Sequence, residues 1–125
     1  MIWLTKNMVE AFHRESLMRF GGADGIRDEG LLLSALARPE NIHAYEPEAD
    51  AFRLAAAYGA GVVKNHPFVD GNKRTGILCA VVFLALNDIA VAFDEPMIFT
   101  MVYGLAAGEV SEAQFADWLR NAAQD

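Results

Sequence analysis

Apolar residues recur along this chain mostly three and four positions apart, the period of helices with one buried side. Thr5 reads as the N-cap of a first helix running to about Arg19, with Met8, Val9, Phe12 and Phe20 on its apolar stripe and Gly21-Gly22 ending it. Lys6, Glu10, Arg14 and Glu15 fall on the watery side, and His13 reads as a lone structural or exposed histidine. After a loop over Ala23 to Arg27, Asp28 caps a second helix that buries Leu31, Leu32, Ala35 and Leu36 and ends at Pro39. The segment from Pro39 to Pro47 is polar and broken; Ile42 and Tyr45 can pair there as a short extended ribbon, or the segment is a plain connection.

A third helix is expected from about Glu48 to Asn65. Its stripe of Phe52, Ala55, Ala56, Gly59, Val62 and Val63 is mostly small, which admits a close neighbour and places this helix at the centre. Gly59 and Gly61 each weaken a helix interior by about 0.5–1 kcal/mol, so close packing must compensate. The fourth helix, Asn72 to about Asn87, is apolar on nearly every side and is expected to be buried all round. Ile89 to Phe93 is a short extended link. Asp94 or Glu95 starts a fifth helix, with Pro96 in its first turn and Gly108 closing it. Ser111 and Gln114 form a capping-box pattern for a last helix bearing Phe115, Trp118 and Leu119. The expectation is an all-α, compact bundle of about six helices with a short extended flap, one domain over residues 1–125.

Composition adds three exclusions. Ten basic residues against 17 acidic ones give a formal net charge of −7, which argues against broad nucleic-acid binding. The single cysteine, Cys79, has no partner for an internal disulfide and reads as a small buried hydrophobe. The N-terminal stretch lacks a signal-peptide core, and the run from Ile77 to Ala92 is too short and too interrupted to span a bilayer. A soluble, cytoplasmic protein is expected.

The chemistry concentrates between the third and fourth helices, in His66-Pro67-Phe68-Val69-Asp70-Gly71-Asn72-Lys73-Arg74. Taken singly these residues are ordinary: His66 can end a helix, Asp70 can cap one, and Lys73 and Arg74 can face water. Together they conflict with the helix dipole, because a first turn favours acids and this one carries two cations. An anion at that terminus removes the conflict. The amides after Gly71 with Lys73 and Arg74 then hold a phosphate, Asp70 can hold its Mg2+, and His66 is the local side chain of the type suited to general-base work near neutrality.

The nine residues from His66 to Arg74 resemble the signature of the Fic/Doc family in its death-on-curing form. The string Gly25-Ile-Arg-Asp-Glu-Gly-Leu-Leu resembles a second segment of Doc-like proteins, and the likeness extends over most of the chain. Fic relatives that transfer AMP generally have glycine where this chain has Lys73 and arginine where it has Ile77. Both departures are shared with Doc toxins.

The resemblance implies a Fic-fold bundle and a toxin of a type II toxin–antitoxin pair. Its implied activity is transfer of the γ-phosphate of ATP to a Ser or Thr hydroxyl of translation elongation factor Tu. It makes His66 the base, Asp70 the magnesium ligand, and Gly71, Asn72, Lys73 and Arg74 the phosphate site, with Asn72 orienting phosphate or loop. It also implies a target-docking flap at Ile42, His43 and Tyr45, and a short antitoxin that folds as a helix into a surface groove. Two alternatives stay open: AMP or UMP transfer to a protein hydroxyl, and a nucleotide- or partner-binding module without activity.

Overall fold

The computed structural model describes residues 1–124, which form the six expected helices: α1 Lys6–Phe20, α2 Glu29–Tyr45, α3 Ala51–Asn65, α4 Asn72–Leu86, α5 Glu95–Ala107 and α6 Glu112–Asn121. Caps start most of them where the sequence places them. The side chains of Thr5, Asp28, Asp50 and Ser111 accept from amides in the first turns of α1, α2, α3 and α6. Ser111 and Gln114 complete the capping box. The link before α5 is extended, and Val91 bridges Ala123 in antiparallel fashion.

Helix α3 is the axis. Every residue from Leu54 to Val63 is buried, and α2, α4, α5 and α6 all pack on it. The glycines set how near its neighbours come. A Cβ on Gly61 would lie 3.1 Å from the Ala35 Cβ of α2, and one on Gly59 would lie 3.0 Å from the Phe115 ring of α6. Gly76 of α4 belongs to the same crossing: its Cβ would stand 2.7 Å from Val63 Cγ2 and 3.1 Å from the Gly59 carbonyl oxygen. A side chain at Gly76 would therefore collide with α3.

Two expectations are corrected. Helix α2 does not end at Pro39 but runs through it to Tyr45, so the segment bearing Ile42, His43 and Tyr45 is helical and no extended flap forms there. Proline lacks the N–H that would bond the Ala35 carbonyl, a cost of about 3 kcal/mol in a helix interior. The apolar spacing continues across it, however. Leu32, Ala35, Leu36 and Pro39 are buried and Ile42 packs on the core, so the stripe they bury offsets the lost bond. Helix α4 is not buried all round either. Leu78 is exposed and Ile77 and Val82 are only partly covered, because α1, α3 and α5 leave one side of it open.

Tyr58, fully buried on α3, accepts a hydrogen bond from the Leu4 N–H at 3.1 Å and packs against Phe83. Burial pushes its phenol up to about 12. The folded state thus favours the neutral phenol. Its contribution is complete below the unfolded value of about 10 and is lost as pH rises toward 12. The thermal midpoint is expected to decline between those values, and less steeply in Tyr58→Phe, as followed by circular dichroism.

Candidate active site

The motif loop lies between the end of α3 and the start of α4, and it is held by α1 and by segment 25–28. Helix α3 ends on His66, whose φ of 52° and ψ of 52° are left-handed, an uncommon conformation for a residue with a side chain. Arg27 fixes this turn from outside: its Nε donates to the His66 carbonyl at 2.7 Å and its Nη2 to the Asn65 carbonyl at 2.9 Å. The Pro67 carbonyl accepts from the amides of Arg27 and Asp28, and the Val69 N–H donates to Gly25 O. Segment 25–28 thereby forms a short antiparallel ladder along the loop, with Ile26 opposite Phe68. Arg27 is thus a cap on α3 and a clamp on the loop.

Inside the loop, Asn72 is 4 % exposed and its side chain is consumed locally. Its Oδ1 accepts from the Phe68 N–H at 2.9 Å and its Nδ2 donates to the Phe68 carbonyl at 3.0 Å. The Asn72 side chain therefore holds the loop, which leaves its backbone N–H for a ligand. Gly71, with φ of 78°, adopts a left-handed turn and offers no side chain to cap α4. Among the described residues none accepts from the amides of Asn72, Lys73 or Arg74. Three open N–H groups at the positive end of a helix make an anion cradle.

Asp70 stands beside that cradle, exposed, with Oδ1 accepting from the Gly71 N–H at 2.8 Å and Oδ2 from the Ala23 N–H at 3.3 Å. These two bonds hold its carboxyl below the ordinary carboxylate range, and Arg74 lowers it further. The carboxylate is therefore ionised near neutrality, and each oxygen keeps lone-pair capacity. Gly22 leaves room for it: a Cβ there would come within 2.8 Å of Asp70 Oδ2. One oriented carboxylate fits Mg2+, which takes few protein ligands and completes its shell with phosphate oxygens and water. Among the described residues there is no group of three acidic, histidine or cysteine side chains that would hold a metal by itself.

Lys73 and Arg74 diverge. The Lys73 ammonium lies 4.8 Å from the Tyr103 ring centroid of α5, on the cavity side. Arg74 leans toward α1. Its Nε donates to Ser16 Oγ at 3.0 Å, its Nη2 donates to the Gly21 carbonyl at 3.1 Å, and its guanidinium lies over Phe20. Three of its five N–H donors remain for a ligand. His66, Asp70, Gly71, Asn72, Lys73 and Arg74 together line one cavity of about 310 Å3. The flap candidates do not join them. Ile42 packs on the core, His43 meets Trp3 edge-on, and Tyr45 faces solvent.

One residue of the site was missed in the sequence. His13 of α1 is 2 % exposed; its ring stacks on Phe68 at 3.9 Å between centroids, and its Nε2–H donates to the Asp70 carbonyl at 2.7 Å. It grips the loop at Phe68 and Asp70 from a position 57 residues away in sequence. A buried histidine at helical spacing from Val9 and Ser16 was the signal available.

Residues 3–84 match the profile of the Fic/DOC family. The chain belongs to the Fic/DOC family. It is 36% identical over 110 residues to the protein named Protein kinase doc of Escherichia phage P1, covering 88% of this chain and 86% of that one. It is 37% identical over 93 residues to Toxin Doc of Mycolicibacterium smegmatis (strain ATCC 700084 / mc(2)155), covering 70% of this chain and 72% of the other. The family match runs from residue 3 into the last turn of α4, so it includes His13 of α1, the 25–28 ladder and the whole loop of this Fic/DOC chain. No helix among the described residues is long and apolar enough to cross a membrane.

Proposed function

We propose that this Fic/DOC chain is a Doc-type toxin that transfers the γ-phosphate of ATP to a Ser or Thr hydroxyl of a protein, with elongation factor Tu as the target. The observation that carries this reading is the meeting of His66, ionised Asp70, Lys73 and three open α4 amides around a single cavity. The resemblance of the loop to Doc signatures and the name of the phage relative support the choice of phosphoryl transfer.

In the proposed reaction the acceptor hydroxyl approaches from the His66 side, and His66 takes its proton as the new oxygen–phosphorus bond forms. The bond from the γ-phosphorus to the β-bridging oxygen breaks, and ADP departs with the electron pair. Lys73, the free donors of Arg74 and the amides of residues 72–74 hold phosphate oxygens through this exchange, since such transfers rest mainly on positioning and charge stabilisation. Asp70 would hold Mg2+, which when bound neutralises charge shared between phosphates. Arg27, Asn72 and His13 keep the loop in register for these groups.

The antitoxin is assigned to the groove between α1 and α4. Its volume is about 600 Å3, and Phe12, Phe20, Ile77, Leu78 and Val82 line it, with Arg74 where the groove meets the phosphate site. An amphipathic helix laid into it would cover the side of α4 that the fold leaves open.

A cell-free translation reaction tests the target. The purified chain should halt synthesis only while ATP is present, and fresh elongation factor Tu should restore it. Arrest that fresh factor does not relieve would remove that protein as the target.

A further inference from the structure

Among the described residues that line the active-site cavity, Tyr103 of α5 alone carries a hydroxyl. Its ring is held between neighbours: Phe99 stacks on it at 4.1 Å between centroids, and the Lys73 ammonium lies 4.8 Å from its centroid. At 49% exposure the residue is not sealed in the core. The other hydroxyls near the loop are unsuited to reaction. Ser16 is buried with its Oγ accepting from Arg74, and Thr75, one residue past the cradle, is fully buried. Thr100 donates to the Pro96 carbonyl and does not border the cavity. Tyr103 also lies outside residues 3–84, so the family match does not account for it.

We propose that Tyr103 is a phosphoryl acceptor within the chain itself, modified in cis by the site it borders. The proposal rests on the phosphoryl-transfer reading above. His66 takes the phenolic proton as the bond from Tyr103 Oη to the γ-phosphorus forms. The bond from that phosphorus to the β-bridging oxygen breaks, and ADP leaves with the electron pair. An acceptor already fixed beside the donor turns a two-molecule encounter into a one-molecule step, which favours this hydroxyl while no protein substrate is docked. The product carries about two negative charges and three strong acceptor oxygens, on a side chain next to Lys73 in the cavity of the three open amides. Those groups then bind the attached phosphate in place of the phosphates of a second ATP. Self-phosphorylation is thereby a brake, by which a chain without a substrate closes its own anion site.

The purified full chain is incubated with magnesium and γ-labelled ATP, with no other protein, and the label is mapped by mass spectrometry of its peptides. One phosphoryl group should appear on Tyr103, and it should be absent from Tyr103→Phe and His66→Ala. Label on another residue instead, or undiminished label in Tyr103→Phe, would overturn the site; mapping on the wild type decides this even where that variant folds poorly. The fraction labelled per unit time should stay constant across about a tenfold range of chain concentration. A rate that rises with concentration would place the acceptor on a second copy and overturn the cis step. The labelled chain should lose most of its transfer to elongation factor Tu and regain it after phosphatase treatment, and undiminished transfer would overturn the brake. An unlabelled chain that still labels elongation factor Tu would overturn self-phosphorylation and leave phosphoryl transfer standing. No label on either protein would overturn both.

Discussion

Replacing His66 with alanine is expected to slow phosphoryl transfer by about 10²–10⁴-fold, the usual contribution of a positioned general base. The loss should fall on kcat, with the KM for ATP nearly unchanged, because the cradle amides, Lys73 and Asp70 lie outside the substituted side chain. Alanine at this position carries a second burden, since φ at residue 66 is 52°. Asparagine tolerates the left-handed region better and brings no group that titrates near neutrality. His66→Asn should therefore match His66→Ala in rate while unfolding at a higher temperature. A rate loss below tenfold in both variants would remove His66 as the base. In cells, expression of the wild-type chain should arrest growth, and both substitutions should relieve that arrest.

The second large effect is expected in stability. Asn72→Ala deprives both the N–H and the carbonyl of Phe68 of their partners, in a loop where Phe68 is 1 % exposed. Each buried, unsatisfied backbone group costs about 1–3 kcal/mol, so the pair amounts to roughly 2–6 kcal/mol. A domain of this size is stable by only about 5–15 kcal/mol, and the thermal midpoint should fall by about ten degrees or more. Asn72→Asp separates the two bonds. The carboxylate keeps the acceptor for the Phe68 N–H and suits the positive end of α4, and only the donor to the carbonyl is lost. Its midpoint should lie between those of wild type and Asn72→Ala. Equal midpoints in all three chains would show that the loop does not depend on these bonds.

What could be read from the sequence was local. Thr5, Asp28 and the Ser111–Gln114 pair mark helix starts because a cap and its amides lie within three residues of one another. The mostly small stripe of α3 announced a central helix for the same reason, since a helix side is set by spacing alone. Pro39 misled because a proline's local cost is visible while the burial that offsets it, on α3, is not. The apolar run of α4 promised burial on all sides, but which sides are covered depends on how many neighbours pack there.

The loop itself was legible as a cluster of chemistry, and its supports were not. His13 and Arg27 reach it across 57 and 39 residues of sequence, distances at which no spacing rule operates. The two cations of the first turn could be named but not aimed. Only the fold shows Lys73 turned toward the α5 aromatics and Arg74 tied to α1.

ATP labelled separately at the α and γ phosphates tests phosphoryl transfer. With purified chain and elongation factor Tu, label should reach the protein from the γ position alone. Label arriving from the α position would instead show nucleotidyl transfer and overturn the assignment of phosphoryl transfer.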